Sequence, residues 1–363
     1  MYDVAIVGAG INGTSVAYEF LKENKKVLIL DMESVANGGS GAAGAFISPK
    51  FSKFGELKEL LQDAFSYSME FYNNNFTNHF TKTQLIHIAK DEADSEMLRF
   101  FKQNTTLKLK DVDKNYETET ISLDTAIIDA KPMCEALASG AEFVKHKVED
   151  ISYEAGVWVI DGIYKAKNVV LATGAYEHIV KEPYIKLSGV WGHRIDIKTT
   201  TKNSYSLHQF VSISPTKDGV LAIGATHDVH YHPQTSKEPY DIESGRAELL
   251  EKASKTIKLD DVEVIKDYTG LRSGSYDYMP LVGELVISDD TLEIKGLRVQ
   301  MKKQDYSKYI YYPNLYMING NGGYGFVLAP YLAKILKDKI LYGKKISDRI
   351  SPARFFARWA RRR

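Results

Sequence analysis

Val4-Ala5-Ile6-Val7-Gly8-Ala9-Gly10-Ile11-Asn12-Gly13 opens on four apolar residues and runs into a turn with three glycines. The apolar run predicts a fully buried central strand. Val16, Ala17, Phe20 and Leu21 then recur at helical spacing, and Val27-Leu28-Ile29-Leu30 forms a second apolar strand that ends on Asp31. Strand, glycine turn, helix, strand and acid in that order make a dinucleotide-binding βαβ unit. In such a unit Gly8 permits the tight turn, Gly10 lets a pyrophosphate approach the backbone, and Gly13 lets helix and strand pack closely. The helix start offers free N–H groups and positive partial charge to the phosphates, and Asp31 is placed to accept from ribose hydroxyls.

The rest of the composition narrows the class. The chain has 363 residues, 44% hydrophobic and 26% charged, which excludes a disordered, collagen-like or disulfide-stapled chain. Its 47 basic and 47 acidic residues balance, so no overall field steers it to nucleic acid or membrane. A single cysteine, Cys134, allows no internal disulfide and no multi-cysteine metal site. His227, His230 and His232 lie close together in a loop-like stretch with only Asp228 at ligand spacing, and no metal is expected there. No apolar run is long enough to span a bilayer, and the expected location is cytoplasmic.

Three further stretches carry chemistry. Asn37-Gly38-Gly39-Ser40-Gly41-Ala42-Ala43-Gly44-Ala45 is a run of small residues that lets backbone lie along a large flat ligand. Asn168 to Ala175 reads as a buried strand ending in Ala172-Thr173-Gly174, and Gly140 to Ile151 as a helix end followed by a strand centred on Val148. Near the C-terminus, Gly270-Leu271-Arg272-Ser273-Gly274-Ser275 precedes a strand, Leu315 to Ile318. That strand leads to Gly320-Asn321-Gly322-Gly323-Tyr324-Gly325 and a long helix with Pro330 in its first turns.

Together these stretches resemble the FAD-dependent amino acid oxidase family, whose members include glycine oxidase, sarcosine oxidase and D-amino acid oxidases and dehydrogenases. The likeness runs over nearly the whole chain. It implies an α/β fold: a Rossmann-like FAD-binding domain from residues 1–85, 127–190 and 312–363, and a mostly antiparallel substrate domain from 86–126 and 191–311. Phe210 to Ser214 and Gly219 to Thr226 are read as strands of that second domain. Non-covalent FAD would be held by Gly8, Gly10, Ile11, Asn12, Gly13, Asp31, Met32, Gly39, Ser40, Ala43, Gly44 and Ala45. Val148, Thr173, Gly174, Asn321, Gly322, Gly323, Gly325 and Phe326 complete the set. Arg272 matches the family's arginine, whose planar guanidinium pairs bidentately with a substrate carboxylate. Tyr324 stands in the turn where glycine oxidases carry a histidine and an arginine, at the places of Asn321 and Gly323. It is taken as the second catalytic candidate.

The implied activity is oxidation of the carbon–nitrogen bond of an amino acid or N-substituted glycine by hydride transfer to flavin, to either oxygen or a quinone. Ala64 to Tyr72 and Ser351 to Arg363 are also similar to the FAD domain of the bifunctional enzymes that make 5-methylaminomethyl-2-thiouridine in tRNA. From Leu332 onward the chain has 11 Lys or Arg and 2 Asp, a local charge of +9. These basic residues, interleaved with Phe355, Phe356 and Trp359, suit phosphate neutralisation and base stacking. A tRNA wobble uridine is therefore the alternative substrate. A non-catalytic flavin carrier, anchored on a membrane by the basic tail, is the third reading.

Overall fold

The computed structural model describes residues 1–53, 55–112, 116–176, 179–297 and 304–362. Its first eight strands are β1 (Tyr2–Val7), β2 (Val27–Asp31), β3 (Phe46–Ile47), β4 (Phe80–Ile88), β5 (Thr120–Ile128), β6 (Glu142–Lys145), β7 (Ile151–Glu154) and β8 (Val157–Ile160). They are followed by β9 (Tyr164–Leu171), β10 (Leu187–Lys198), β11 (Ser206–His208), β12 (Ser212–Ile213), β13 (Val220–Gly224), β14 (Glu263–Ser275), β15 (Leu281–Val286) and β16 (Tyr311–Asn319). The α-helices are α1 (Ile11–Leu21), α2 (Glu56–Asn75), α3 (Glu92–Asn104), α4 (Ala130–Ala138), α5 (Ile242–Ser254), α6 (Ser288–Leu292), α7 (Gly325–Tyr342) and α8 (Ala353–Ala360).

One sheet runs β15-β16-β9-β1-β2-β6, with the hairpin β7–β8 attached to β9. From β16 to β6 its strands are parallel, and β15 is antiparallel at the edge. Both faces are covered, which is why β1 reads as an unbroken apolar run. Val4 and Ile6 face a core with Phe20 of α1 and Leu332 of α7, while Ala5 and Val7 face a second core with Trp158 and Phe356. The other sheet, β14-β10-β13-β12-β11-β4-β5-β3, is antiparallel except where β11 runs parallel to β4. Strand pairing places β4 whole in this second sheet, across residue 85 where the sequence reading changes domain. It also places β15 in the first sheet.

The last helix departs from expectation. Phe355 and Phe356 of α8 do not stand out to meet a nucleobase, because they are 5% and 0% exposed in the core beneath the first sheet, while Trp359 is half-buried against that core. A parallel sheet needs cover on its second face, and α8 provides it. The helix is anchored by Arg354, whose Nε and Nη2 donate to the two Asp277 oxygens at 2.8 and 2.9 Å. Among the described residues no helix is long and apolar enough to cross a membrane.

Pro330 lies in the first turns of α7, as read from the sequence, but past the point where a missing N–H costs nothing. It is the sixth residue of α7, beyond the free N–H groups of the helix start, so the Phe326 carbonyl loses its helical donor. Tyr72 of α2 fills the gap, donating its hydroxyl to Phe326 O at 3.0 Å, and Ser68 Oγ donates to Val327 O at 2.7 Å. Tyr72 is fully buried, so no water can replace it. Tyr72→Phe leaves that carbonyl unanswered and should lower stability by about 1–3 kcal/mol in urea unfolding. Unchanged stability would contradict this account of how α7 tolerates its proline.

Candidate functional site

Between the two sheets lies a cavity of about 730 Å³, within the usual range for ligand sites. All the residues expected to hold FAD or to act on the substrate line it except Gly13. Gly13 works from behind. A Cβ there would collide with the carbonyl oxygen of Gly8, so α1 can approach β1 only because the side chain is missing. Gly8 itself has φ +109°, in the region that favours glycine.

Asp31 closes the end of β2, accepting from Ala9 N at 2.7 Å and from Glu33 N at 2.9 Å. Its carboxylate therefore fixes the glycine turn as well as facing the cavity. Ser40 Oγ accepts from Ile11 N at 2.9 Å, tying the small-residue loop to the start of α1. Val148 lines the same end of the cavity, but it does not lie within a strand as expected, since β6 stops at Lys145. The Asp161 carboxylate ends that strand by taking Asp150 N at 2.7 Å, Glu149 N at 3.2 Å and His146 Nε2 at 2.7 Å.

The opposite end is braced by asparagines. Asn319, fully buried, donates to Gly174 O at 2.9 Å and accepts from Ser273 Oγ at 2.9 Å and Gly320 N at 2.9 Å. It joins the Ala-Thr-Gly strand, β14 and the glycine turn, and nothing in the sequence pattern marked it. Asn321 Nδ2 donates to Asn12 Oδ1 at 2.6 Å, linking the starts of α7 and α1, while Asn321 Oδ1 is buried without a partner. Gly322 and Gly323 face open space on the cavity wall. An orphaned amide oxygen, two helix N-termini and bare backbone at the wall fit a long ligand with phosphates at one end and a polar ring at the other.

Arg272 is on β14, beside Gly192 of β10, whose hydrogen leaves room for the guanidinium. Its Nη2 donates to Thr226 O at 3.2 Å, and among the described residues no carboxylate pairs with it. Burial pulls its pKa below the ordinary arginine value. Tyr324 is half-buried in the wall, its hydroxyl pKa raised by burial, with the Lys50 ammonium 5.6 Å from its ring centre. Cys134 is fully buried in α4 and does not line the cavity. Among the described residues no three His, Cys, Asp or Glu side chains converge as metal ligands. Asp228 Oδ1, beside the three loop histidines, instead accepts from His230 N at 2.7 Å and Tyr231 N at 3.1 Å.

Residues 3–339 match the family model described as FAD dependent oxidoreductase. The chain belongs to that family. It is an FAD-dependent oxidoreductase, and FAD is its cofactor. It is 25% identical over 386 residues to the tRNA 5-methylaminomethyl-2-thiouridine biosynthesis bifunctional protein MnmC of Legionella pneumophila, covering 96% of this chain and 56% of that protein. The chain thus spans just over half the length of the curated relatives it matches. In fold it is similar to glycine oxidase from Bacillus cereus, with a TM-score of 0.73, 20% identity and coverage of 95% and 96% of the two chains. Iminodiacetate oxidase from Chelativorans sp. BNC1 gives a TM-score of 0.70 at 15% identity, covering 96% and 98%.

Since Gly13 admits no Cβ, Gly13→Ala must push α1 away from β1. The expected result is a loss of about 1–3 kcal/mol and a preparation depleted of FAD, read by thermal unfolding and by the flavin absorbance of the purified protein. A fully yellow variant of unchanged stability would contradict the packing described.

Proposed function

We propose that the chain oxidises the carbon–nitrogen bond of an amino acid or N-substituted glycine. The observation that carries this reading is the unpaired guanidinium of Arg272 in the cavity wall. A cation removed from water and left without a carboxylate is costly, and a ligand carboxylate is the group that answers it. We assign Arg272 as the clamp, the residues lining the cavity from Gly8 to Phe326 as the FAD site, and Gly13 as its support. The first sheet with its helices is the FAD-binding domain, and the second sheet is the substrate domain. With Cys134 buried away from the cavity, the FAD is held non-covalently.

When bound, the flavin supplies the two-electron acceptor for a hydride from the carbon next to the amine. The protein's part is orientation. Arg272 fixes the carboxylate, so the α-carbon is presented in one pose. Asn319 and Ser273 hold β14 to the glycine turn, and Tyr324 walls the site against water. No side chain of this set is needed as a base once the amine is neutral, and the imine product hydrolyses in water.

A tRNA wobble uridine bearing a carboxymethylaminomethyl group is the second reading, since that group is itself an N-substituted glycine. It is supported by the MnmC relatives and by the exposed Arg361 and Arg362 at the end of α8, near Arg358, which stacks 4.1 Å from the ring centre of exposed Tyr276. Such a substrate would place the protein in the cytoplasm.

Arg272→Ala is expected to keep its FAD while losing about 2–5 kcal/mol in kcat/KM for carboxylated amines. Stopped-flow reduction of the flavin by sarcosine checks it. An unchanged rate would remove the clamp from the account.

A further inference from the structure

The segment that leaves β13 crosses to β10 and is pinned to it by backbone pairing. Trp191 and Asp228 exchange both of their bonds, Trp191 N donating to Asp228 O at 2.8 Å and Asp228 N to Trp191 O at 3.0 Å. In an antiparallel ladder the next such pair lies two residues along, here at His193 and Thr226. One of its bonds is in place, from Thr226 N to His193 O at 3.0 Å. The other does not go to the Thr226 carbonyl. His193 N donates instead to Thr226 Oγ1 at 2.9 Å.

The threonine side chain has taken the ladder place of its own carbonyl. That carbonyl is thereby left to accept from Arg272 Nη2 at 3.2 Å. Thr226 is 2% exposed and His193 is 0% exposed, so water does not compete for these groups. The histidine is itself held from the far side: its Nε2 bonds Asp267 Oδ1 at 2.9 Å, and Arg246 Nε donates to the same oxygen at 2.9 Å.

The chemistry of the acceptor matters. A carboxylate beside Arg272 would neutralise it and compete with the carboxylate of a substrate. A carbonyl directs the guanidinium without cancelling its charge. It uses one of five N–H donors and leaves an edge of the fork for a two-bond pair.

We propose that Thr226 is the positioning residue of the clamp: its hydroxyl fills the β-ladder so that its carbonyl is free to aim Arg272. This rests on the reading of Arg272 as the group that binds a substrate carboxylate. Thr226 does not line the cavity and acts only through the arginine.

The test uses the FAD-loaded enzyme. Thr226→Val keeps the shape of the side chain and loses the hydroxyl, so the His193 N–H takes back the carbonyl; Thr226→Ser keeps the hydroxyl. The binding probe is methoxyacetate, sarcosine with oxygen in place of nitrogen, titrated calorimetrically. Its affinity should fall about tenfold or more in Thr226→Val and stay within about threefold of wild type in Thr226→Ser. The kcat/KM for sarcosine should fall with it while that for sarcosine amide holds, whereas a general loosening of the sheet would lower both. In an Arg272→Ala background, Thr226→Val should cause no further loss. Unchanged affinity in Thr226→Val, equal losses for sarcosine and its amide, or a further loss in the Arg272→Ala background overturns the positioning role. If Arg272→Ala binds methoxyacetate as wild type does, the clamp fails and its positioning with it; if Arg272→Ala loses the probe and Thr226→Val does not, the positioning role alone fails.

Discussion

Gly39 meets β14 where no side chain fits: a Cβ on it would lie 2.5 Å from Leu271 O, and a Cβ on Gly270 would lie 2.8 Å from Gly39 Cα. This backbone-on-backbone contact presses the small-residue loop of the first sheet against the second sheet. Arg272 follows Leu271 directly, so the contact that seats the loop also sets the position of the guanidinium. The wall of the proposed flavin slot and the proposed substrate clamp are therefore one construction, and displacing either strand would move both.

The remaining braces share a logic. Where backbone is interrupted near the cavity, a buried or half-buried side chain takes the freed hydrogen bond. Asn319 does so for Gly174, the Asp31 carboxylate for Ala9, and Tyr72 for the carbonyl that Pro330 leaves open. Buried polar groups satisfied in this way cost little and specify geometry; unsatisfied ones point to a missing ligand. Asn321 Oδ1 and the two nitrogens of His87 are in the second class, and Arg272, whose guanidinium has no carboxylate partner among the described residues, lines the same cavity.

The sequence made the first sheet legible because its signals are local: apolar runs of strand length, glycines at turns, and an acid at the end of β2. The cavity lining was legible for the same reason, since the small-residue loop and the two glycine motifs each lie in one short stretch. Contacts made across long separations were not. Val148 looked like a strand residue because nothing nearby shows that Asp161 folds back on Glu149 and Asp150. Phe355 and Phe356 looked like a basic, aromatic nucleic-acid motif because the face they cover is built from strands far earlier in the chain. The pairing of His87 with His208, 121 positions apart, exists only through the parallel contact of β4 and β11.

The account stands on a carboxylate held against the flavin by Arg272. Anaerobic titration of the purified holoenzyme with sarcosine and, separately, with its uncharged amide tests this most directly. Bleaching of the flavin by sarcosine, with the amide slower by a hundredfold or more, is the expected result. Equal reduction by both, or by neither while FAD is fully bound, would contradict it.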